Sequence, residues 1–210
     1  MTGPNLFVPP DRLESQRLVR GLAQPAVRAA RFLLGQILVR RNKGRTCAVR
    51  IVETEAYLGV DDPAAHAFRG RTARTEPLWG PPGTWYVYFI YGMHYCLNIA
   101  VEREGVPGCV LIRAADPLRG SGLDPSDCRG PGRLCRALGI DTGLSGTSAL
   151  SGAAGLYLRE GTGPRRIAIS TRVGIQKAAD RPLRFFDESS PAVSRGPAPI
   201  SRVRPRPRRS

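Results

Sequence analysis

Apolar residues recur along this chain at two spacings, and the points where one gives way to the other mark its elements. Pro25–Leu34 (PAVRAARFLL) keeps helical spacing, with Pro25 near its start and Gly35 near its end, and predicts a helix. Gln36–Arg40 and Thr46–Tyr57 (TCAVRIVETEAY) predict strands separated by a turn over Arg41–Arg45. Trp85–Tyr91 and His94–Glu102 predict a hairpin with Gly92-Met93 at its tip. Strands are also expected at Gly108–Ala114, Arg165–Thr171 and Pro182–Phe186, and a short helix at Gly132–Gly139, opening on Gly130-Pro131-Gly132. Between Leu58 and Gly83 the chain is rich in Gly, Pro, Asp and Arg, the composition of a long functional loop. Ser145–Gly155 reads as a small polar loop, and no segment repeats.

Composition adds a partner to this outline. A hydrophobic content of 41% over 210 residues suits one compact domain with an ordinary core. The formal net charge of +15 is not ordinary. Part of it lies at the end, Arg195–Ser210, where Arg and Pro alternate without any acid; residues 196–210 are expected to be disordered. The rest of the chain is still basic. That favours a polyanion, nucleic acid before membrane, because no amphipathic basic helix stands out. A generally arginine-rich, solvated surface is the plain alternative.

Trp85–Tyr91 is too short to cross a bilayer, and Met1–Pro10 lacks the basic-then-apolar run of a secretory leader. The expectation is a soluble protein that is not secreted, in the cytoplasm or nucleoid of a bacterium or the nucleus of a eukaryote. The five cysteines are odd in number and never spaced as CxxC, which predicts buried free thiols. With only two histidines besides, no metal site is expected.

The sharpest chemical question is the pair Glu53 and Glu55. On a regular strand Ile51, Glu53, Glu55 and Tyr57 share one face, and Val52, Thr54 and Ala56 the other. Such a face is either a solvated edge or a place for carboxylate chemistry. Glycosidase-style acid/base work and Mg²⁺ binding are both conceivable, but no sugar-binding aromatic series or further acidic cluster supports them. The predicted hairpin is more specific. Tyr86 and Tyr95 suit sheet packing, whereas Tyr91 and Met93 at the tip suit a wedge that parts stacked bases.

Several long motifs together resemble one family. They are Arg50–Gly59 (RIVETEAYLG), Ala64–His66, Gly83–Met93 (GTWYVYFIYGM), Cys96–Asn98, Cys109–Ala114 (CVLIRA), Thr171–Ile175 and Pro182–Phe186. From about Gln16 to Arg195 the chain is similar to the alkyladenine, or mammalian-type 3-methyladenine, DNA glycosylases. The resemblance implies an α+β fold: a single mixed domain around a curved, mainly antiparallel sheet with a protruding hairpin, like the C-terminal domain of formyltransferases. Residues 1–15 would be an N-terminal extension and 16–195 the glycosylase domain.

The resemblance also implies roles. Glu55 would be the general base that activates water, with Arg113 beside it as the second catalytic residue, whether as ion-pair partner or in positioning the water and a flanking phosphate. Glu53 would be a structural partner. Tyr57, His66 and Tyr88 would sandwich an extruded base, and Asn98 would disfavour guanine. Tyr91, with Met93 at the same tip, would fill the gap in the duplex. Arg172 and Gly174, and less directly Arg133 and Lys177, would meet the DNA backbone; His94 carries no implied role beyond a phosphate contact. The implied activity is monofunctional removal of alkylated or deaminated purines from double-stranded DNA by a monomer without metal or organic cofactor. A lesion- or RNA-binding protein without catalysis, on the same scaffold, is the competing expectation; a basic ribosome-associated protein would explain the charge but not the wedge.

Overall fold

A computed structural model describes residues 7–204. The first helix, α1 (Arg12–Leu22), was not anticipated by the hydrophobic pattern. Its start is nonetheless written locally: the Asp11 side chain accepts from the Glu14 amide at 2.8 Å, an N-cap of a preferred type. Leu18 and Leu22 then fall on the buried side. Helix α2 (Ala26–Leu33) follows, with Pro25 as its N-cap, close to the expected range.

Strands β1 (Ile37–Asn42) and β2 (Arg45–Tyr57) form the predicted hairpin. Lys43 and Gly44 make its two-residue turn with φ of 48° and 75°, the left-handed pair whose twist matches that of the strands. The long loop after β2 carries three single 3₁₀ turns, Gly59–Asp61, His66–Arg69 and Glu76–Trp79. Next come β3 (Trp85–Ile90), β4 (His94–Ala100) and β5 (Cys109–Pro117), then α3 (Pro131–Leu138). The remaining strands are β6 (Leu156–Arg159), β7 (Ile167–Ser170), β8 (Arg184–Phe186) and β9 (Ser201–Val203).

The strands make one antiparallel sheet in the order β3-β4-β5-β2-β8-β7-β9, with β1 pairing both β2 and β6. This is the expected α+β fold around a mainly antiparallel sheet. The main core lies on one face, where Leu18, Leu22, Ala29, Ala30 and Leu33 of α1 and α2 meet Val49, Ile51, Ala56, Trp85, Leu97 and Ile112. Trp85 is fully buried, and its indole N–H donates to the Leu156 carbonyl at 3.1 Å. All five cysteines are buried free thiols. Among the described residues no helix is long and apolar enough to cross a membrane.

Two expectations require correction. The hairpin tip is the three-residue turn Tyr91-Gly92-Met93, one residue longer than expected, because Ile90 pairs with His94: Tyr91 and Gly92 have positive φ (53° and 68°), and the Met93 amide donates back to the Ile90 carbonyl at 3.3 Å. The disordered tail is also placed too early. β9 pairs with β7, whose outer edge offers unpaired amides and carbonyls that an extended segment completes. Arg202 of that strand meets Glu188 at 2.6 Å. Residues 205–210 lie outside the described residues.

Candidate active site

The strand that carries both glutamates is not regular. Opposite β5, Ile51 pairs with Ala115, Glu53 with Ala114 and Thr54 with Ile112, which leaves Val52 unmatched on β2 and Arg113 unmatched on β5. Each strand therefore holds one extra residue, a bulge beside a bulge. Ile51 faces the helices, and so do Thr54, whose hydroxyl donates to the Ala30 carbonyl of α2 at 3.0 Å, and Ala56. Val52, Glu53, Glu55 and Tyr57 are left on the other face, with Arg113 and Ala114 beside them. The regular alternation that grouped Ile51 with the glutamates fails here, because bulges re-aim side chains in a way that pairing alone reveals.

On this face Glu53 and Glu55 are both fully buried, yet they serve differently. Glu53 is saturated. It accepts from Arg113 Nε at 3.0 Å, Arg184 Nε at 2.7 Å, and the Ser194 amide and hydroxyl at 2.7 and 2.8 Å. Glu55 accepts from the Val173 amide at 2.8 Å on Oε1 and from the Tyr57 hydroxyl at 3.0 Å on Oε2, and Arg113 Nη1 lies 3.3 Å from Oε1. A carboxylate offers about four lone-pair positions, so three donors leave one on Oε2 for a further proton donor. Burial raises the Glu55 pKa above the usual carboxylate range, and the pull of Arg113, the Val173 amide and the Tyr57 hydroxyl only partly offsets it. Burial, followed by the Glu55 charge, keeps the Tyr57 phenol protonated far above its ordinary range. It is a donor to Glu55 and not a competing base.

Next to this carboxylate opens a cavity of about 360 Å³, lined among others by Tyr57, His66, Tyr88, Asn98, Arg113 and Gly174. His66 and Tyr88 meet edge to face with ring centroids 4.4 Å apart. His66 Nδ1 lies 2.8 Å from the hydroxyl of Tyr86, a buried residue whose pKa burial pushes up to about 12. Burial, and then the charge of Arg74, lowers the His66 pKa, so its ring is neutral at neutral pH. The Asn98 amide nitrogen donates to the carbonyls of Tyr86 and Cys96 at 3.3 and 3.4 Å, which leaves its oxygen as the group to offer a ligand. Tyr91, 80% exposed, and Met93, 69% exposed, stand at the hairpin tip, and Tyr91 also lines the cavity.

The structure thus gathers Arg113, Tyr57, His66, Tyr88, Asn98, Tyr91 and Gly174 around one space, with Glu55 fully buried behind its partners Tyr57, Arg113 and Val173, which line it. Arg133 and Lys177 lie apart from it: Arg133 is exposed and donates to the Ser126 carbonyl at 3.2 Å, and Lys177 borders a neighbouring cleft with Arg69 and Arg74. Arg172 differs most from expectation. It is buried, with both guanidinium ends on Asp62 and one also on the Ala56 carbonyl, and lies 4.6 Å from the centroid of the Tyr57 ring. Held there, it buttresses the aromatic wall and has no free face for a phosphate. Asp62, Tyr86, Val173 and Ser194 were missed because their partners lie far away in sequence, where no local spacing signals them. His94 sits at the cavity edge, packed on Gly132, where an added Cβ would come within 3.0 Å of the imidazole.

Residues 20–191 match the family described as methylpurine-DNA glycosylase. Among curated relatives, one from Methanocella arvoryzae is 42% identical over 82% of this chain and 92% of its own length. Another, from Methanoculleus marisnigri, is 46% identical over 80% of this chain and 93% of its own. A third, from Koribacter versatilis, is 44% identical over 78% and 86%. Each bears the name "Putative 3-methyladenine DNA glycosylase". Together with a match over most of its length, these likenesses mean that the chain belongs to the methylpurine-DNA glycosylase family, DNA glycosylases of base-excision repair.

Proposed function

We propose that this protein removes alkylated or deaminated purines, of the 3-methyladenine, 7-methylguanine, hypoxanthine and ethenoadenine class, from double-stranded DNA as a monomeric, monofunctional glycosylase. The observation that carries the reading is Glu55: a buried carboxylate with one acceptor position left, held by three residues that line an aromatic cavity beside an exposed apolar tip. Tyr91 enters the duplex and fills the gap left by the extruded nucleotide, a cost of a few kcal/mol that damaged or mispaired bases reduce. Tyr57, His66 and Tyr88 enclose the base. Neutral His66 adds no positive charge to oppose a cationic alkylpurine. The Asn98 side chain leaves no room for the 2-amino group of guanine, and that steric clash disfavours it.

Water on the remaining Glu55 position then attacks the anomeric carbon. Its proton passes to Glu55, and the glycosidic electron pair leaves with the base. A cationic alkylpurine departs neutral, whereas a neutral lesion takes up a proton as it goes. The ionised carboxylate also steadies the positive charge that develops on the sugar. Arg113 holds Glu55 in place and favours its ionised form. No lysine lines the cavity among the described residues, which supports direct water attack over a Schiff base and strand cleavage.

The test is single-turnover base release from duplexes bearing hypoxanthine or 7-methylguanine. Glu55→Gln is expected to slow release by about 10²–10⁴-fold while lesion binding is retained. Lesion binding without release by the wild type would point instead to a non-catalytic lesion binder.

A further inference from the structure

The matched region ends at residue 191, yet the chain just beyond it reaches the centre of the site. Ala192 is fully buried, packed with Val52 and Ala114 on the face that carries the glutamates. Ser194 follows, and each of its polar atoms is engaged. Its amide and hydroxyl donate to the two oxygens of Glu53 at 2.7 and 2.8 Å. Its hydroxyl oxygen accepts from Arg113 Nη2 at 3.3 Å, and its carbonyl accepts from Arg184 Nη2 at 2.9 Å. Pro197 adds a second carbonyl for Arg184, at 3.1 Å. Gly196 sits between them with no room for a side chain: a Cβ there would lie 2.7 Å from Arg184 Nη1 and from Val173.

The three nitrogens of the Arg113 guanidinium therefore have three separate anchors. Nε rests on Glu53, Nη1 faces Glu55, and Nη2 rests on Ser194. Two of these anchors share β2, and turning about Nε would still satisfy Glu53. The Ser194 hydroxyl, tied to Glu53 on its other side, blocks that rotation.

We propose that Ser194 is a positioning residue for base release, its hydroxyl bridging Glu53 and Arg113 so that the guanidinium stays fixed against Glu55. The inference rests on the reading of Glu55 as the base, and its test separates the two. Arg113 of β5 is the cation that faces Glu55; Arg184 is paired opposite it on β8 but is committed to Glu53, while Glu53, Tyr57 and the Val173 amide stand around it and the Cys96 thiol of β4, held protonated by burial, lies within its field. A loosened Arg113 would favour the carboxylate less, so the acid limb of the pH–rate profile should move to higher pH.

The experiment compares the full-length wild type, Ser194→Ala, Ser194→Thr and Glu55→Gln in single-turnover release of hypoxanthine at saturating enzyme across pH. Affinity for the lesion duplex and Tm are measured on the same proteins. Ser194→Ala is expected to slow release about tenfold, the scale of a small misplacement of a reacting group. Its acid limb should shift upward and its lesion affinity should stay within about twofold. Ser194→Thr, which keeps the hydroxyl, should restore both rate and profile. Wild-type rates in Ser194→Ala with an inactive Glu55→Gln would overturn the role of Ser194 and leave the base assignment intact. So would a lower Tm or a slower rate with an unmoved pH profile, which marks packing alone. Full activity in Glu55→Gln would remove both readings. Should Ser194→Ala fail to fold, Ser194→Cys keeps the volume with a far weaker donor and carries the same expectation.

Discussion

The floor of the cavity and the tip of the hairpin invert the usual distribution of side chains in opposite directions. At the floor, four charged groups, Glu53, Glu55, Arg113 and Arg184, are withdrawn from water beside the buried pair Asp62 and Arg172. At the tip, Tyr91 and Met93 are pushed into water on a turn where Tyr91 has a left-handed backbone. Neither arrangement favours folding. Buried ion pairs often do no better than apolar residues of the same volume, and a left-handed non-glycine residue costs roughly 1–2 kcal/mol. The difference lies in how each is kept. The floor is over-determined, each charge having two or more partners, so removing one whose contacts outweigh the cost of its burial, such as Asp62, should damage both stability and catalysis. The tip has almost no partners, so changing it should cost function alone.

The largest effect expected from that contrast is at Asp62. Asp62→Asn leaves Arg172 buried without its anion and should lower stability by about 3–5 kcal/mol in denaturant unfolding. A loss under 1 kcal/mol would mean that the floor is not held as described. The tip should behave the other way. Tyr91→Asn places the preferred residue before Gly92 in this turn and should gain about 1 kcal/mol of stability. Binding to lesion duplexes should weaken by about 1–3 kcal/mol, the scale of one stacked base, with less change on undamaged DNA. Equal losses on both duplexes, read by titration, would remove the wedge from the account.

The smallest effect concerns pH and separates two buried carboxylates. Burial pulls the Asp62 pKa up, but the Arg172 contacts outweigh it and hold Asp62 below its ordinary value. Its contribution is thus present above pH of about 3.9 and lost as pH falls through the folded-state pKa. Glu55 is raised, so its contribution is present at low pH and lost as pH rises through its folded-state value. Glu55→Gln should therefore be somewhat more stable than wild type at pH 7, with the gap closing below pH of about 4. Thermal melts at both pH values check the sign.

How far the sequence could be read follows the same division between local and distant. The aromatic hairpin, the basic loop after Tyr57 and the helix entered through Pro25 each rest on neighbouring residues, and each was legible. So was the set that lines the cavity, through motifs that keep their internal spacing. The paired bulges were not, since alternation along β2 says nothing of where β5 slips. Arg172 was misread for the same reason: its anion, Asp62, lies in a loop far back along the chain, and a basic residue in a DNA-binding protein invites a phosphate. Helix α1 is a different kind of miss, because Asp11 and Glu14 did announce it. β9 hid behind the arginines and prolines around it, although Ile200–Arg204 contains neither Gly nor Pro.

The paired bulges also bear on how such a site can vary over generations. The ladder between β2 and β5 keeps the same offset on either side of the irregularity, from Ile51 opposite Ala115 to Glu55 opposite Leu111. Deleting Val52 alone would break that agreement: Arg113 would stay unmatched on β5, and the pairs on one side of the irregularity would be shifted by one residue against those on the other. Deleting one residue from each strand would restore an ordinary ladder but remove the doubled positions that bring Glu53 and Arg113 together. Substitutions can therefore accumulate one at a time around this floor, while changes of length there are viable only in matched pairs, if at all. A lineage can retune which bases it accepts far more readily than it can rebuild the frame that holds the carboxylate.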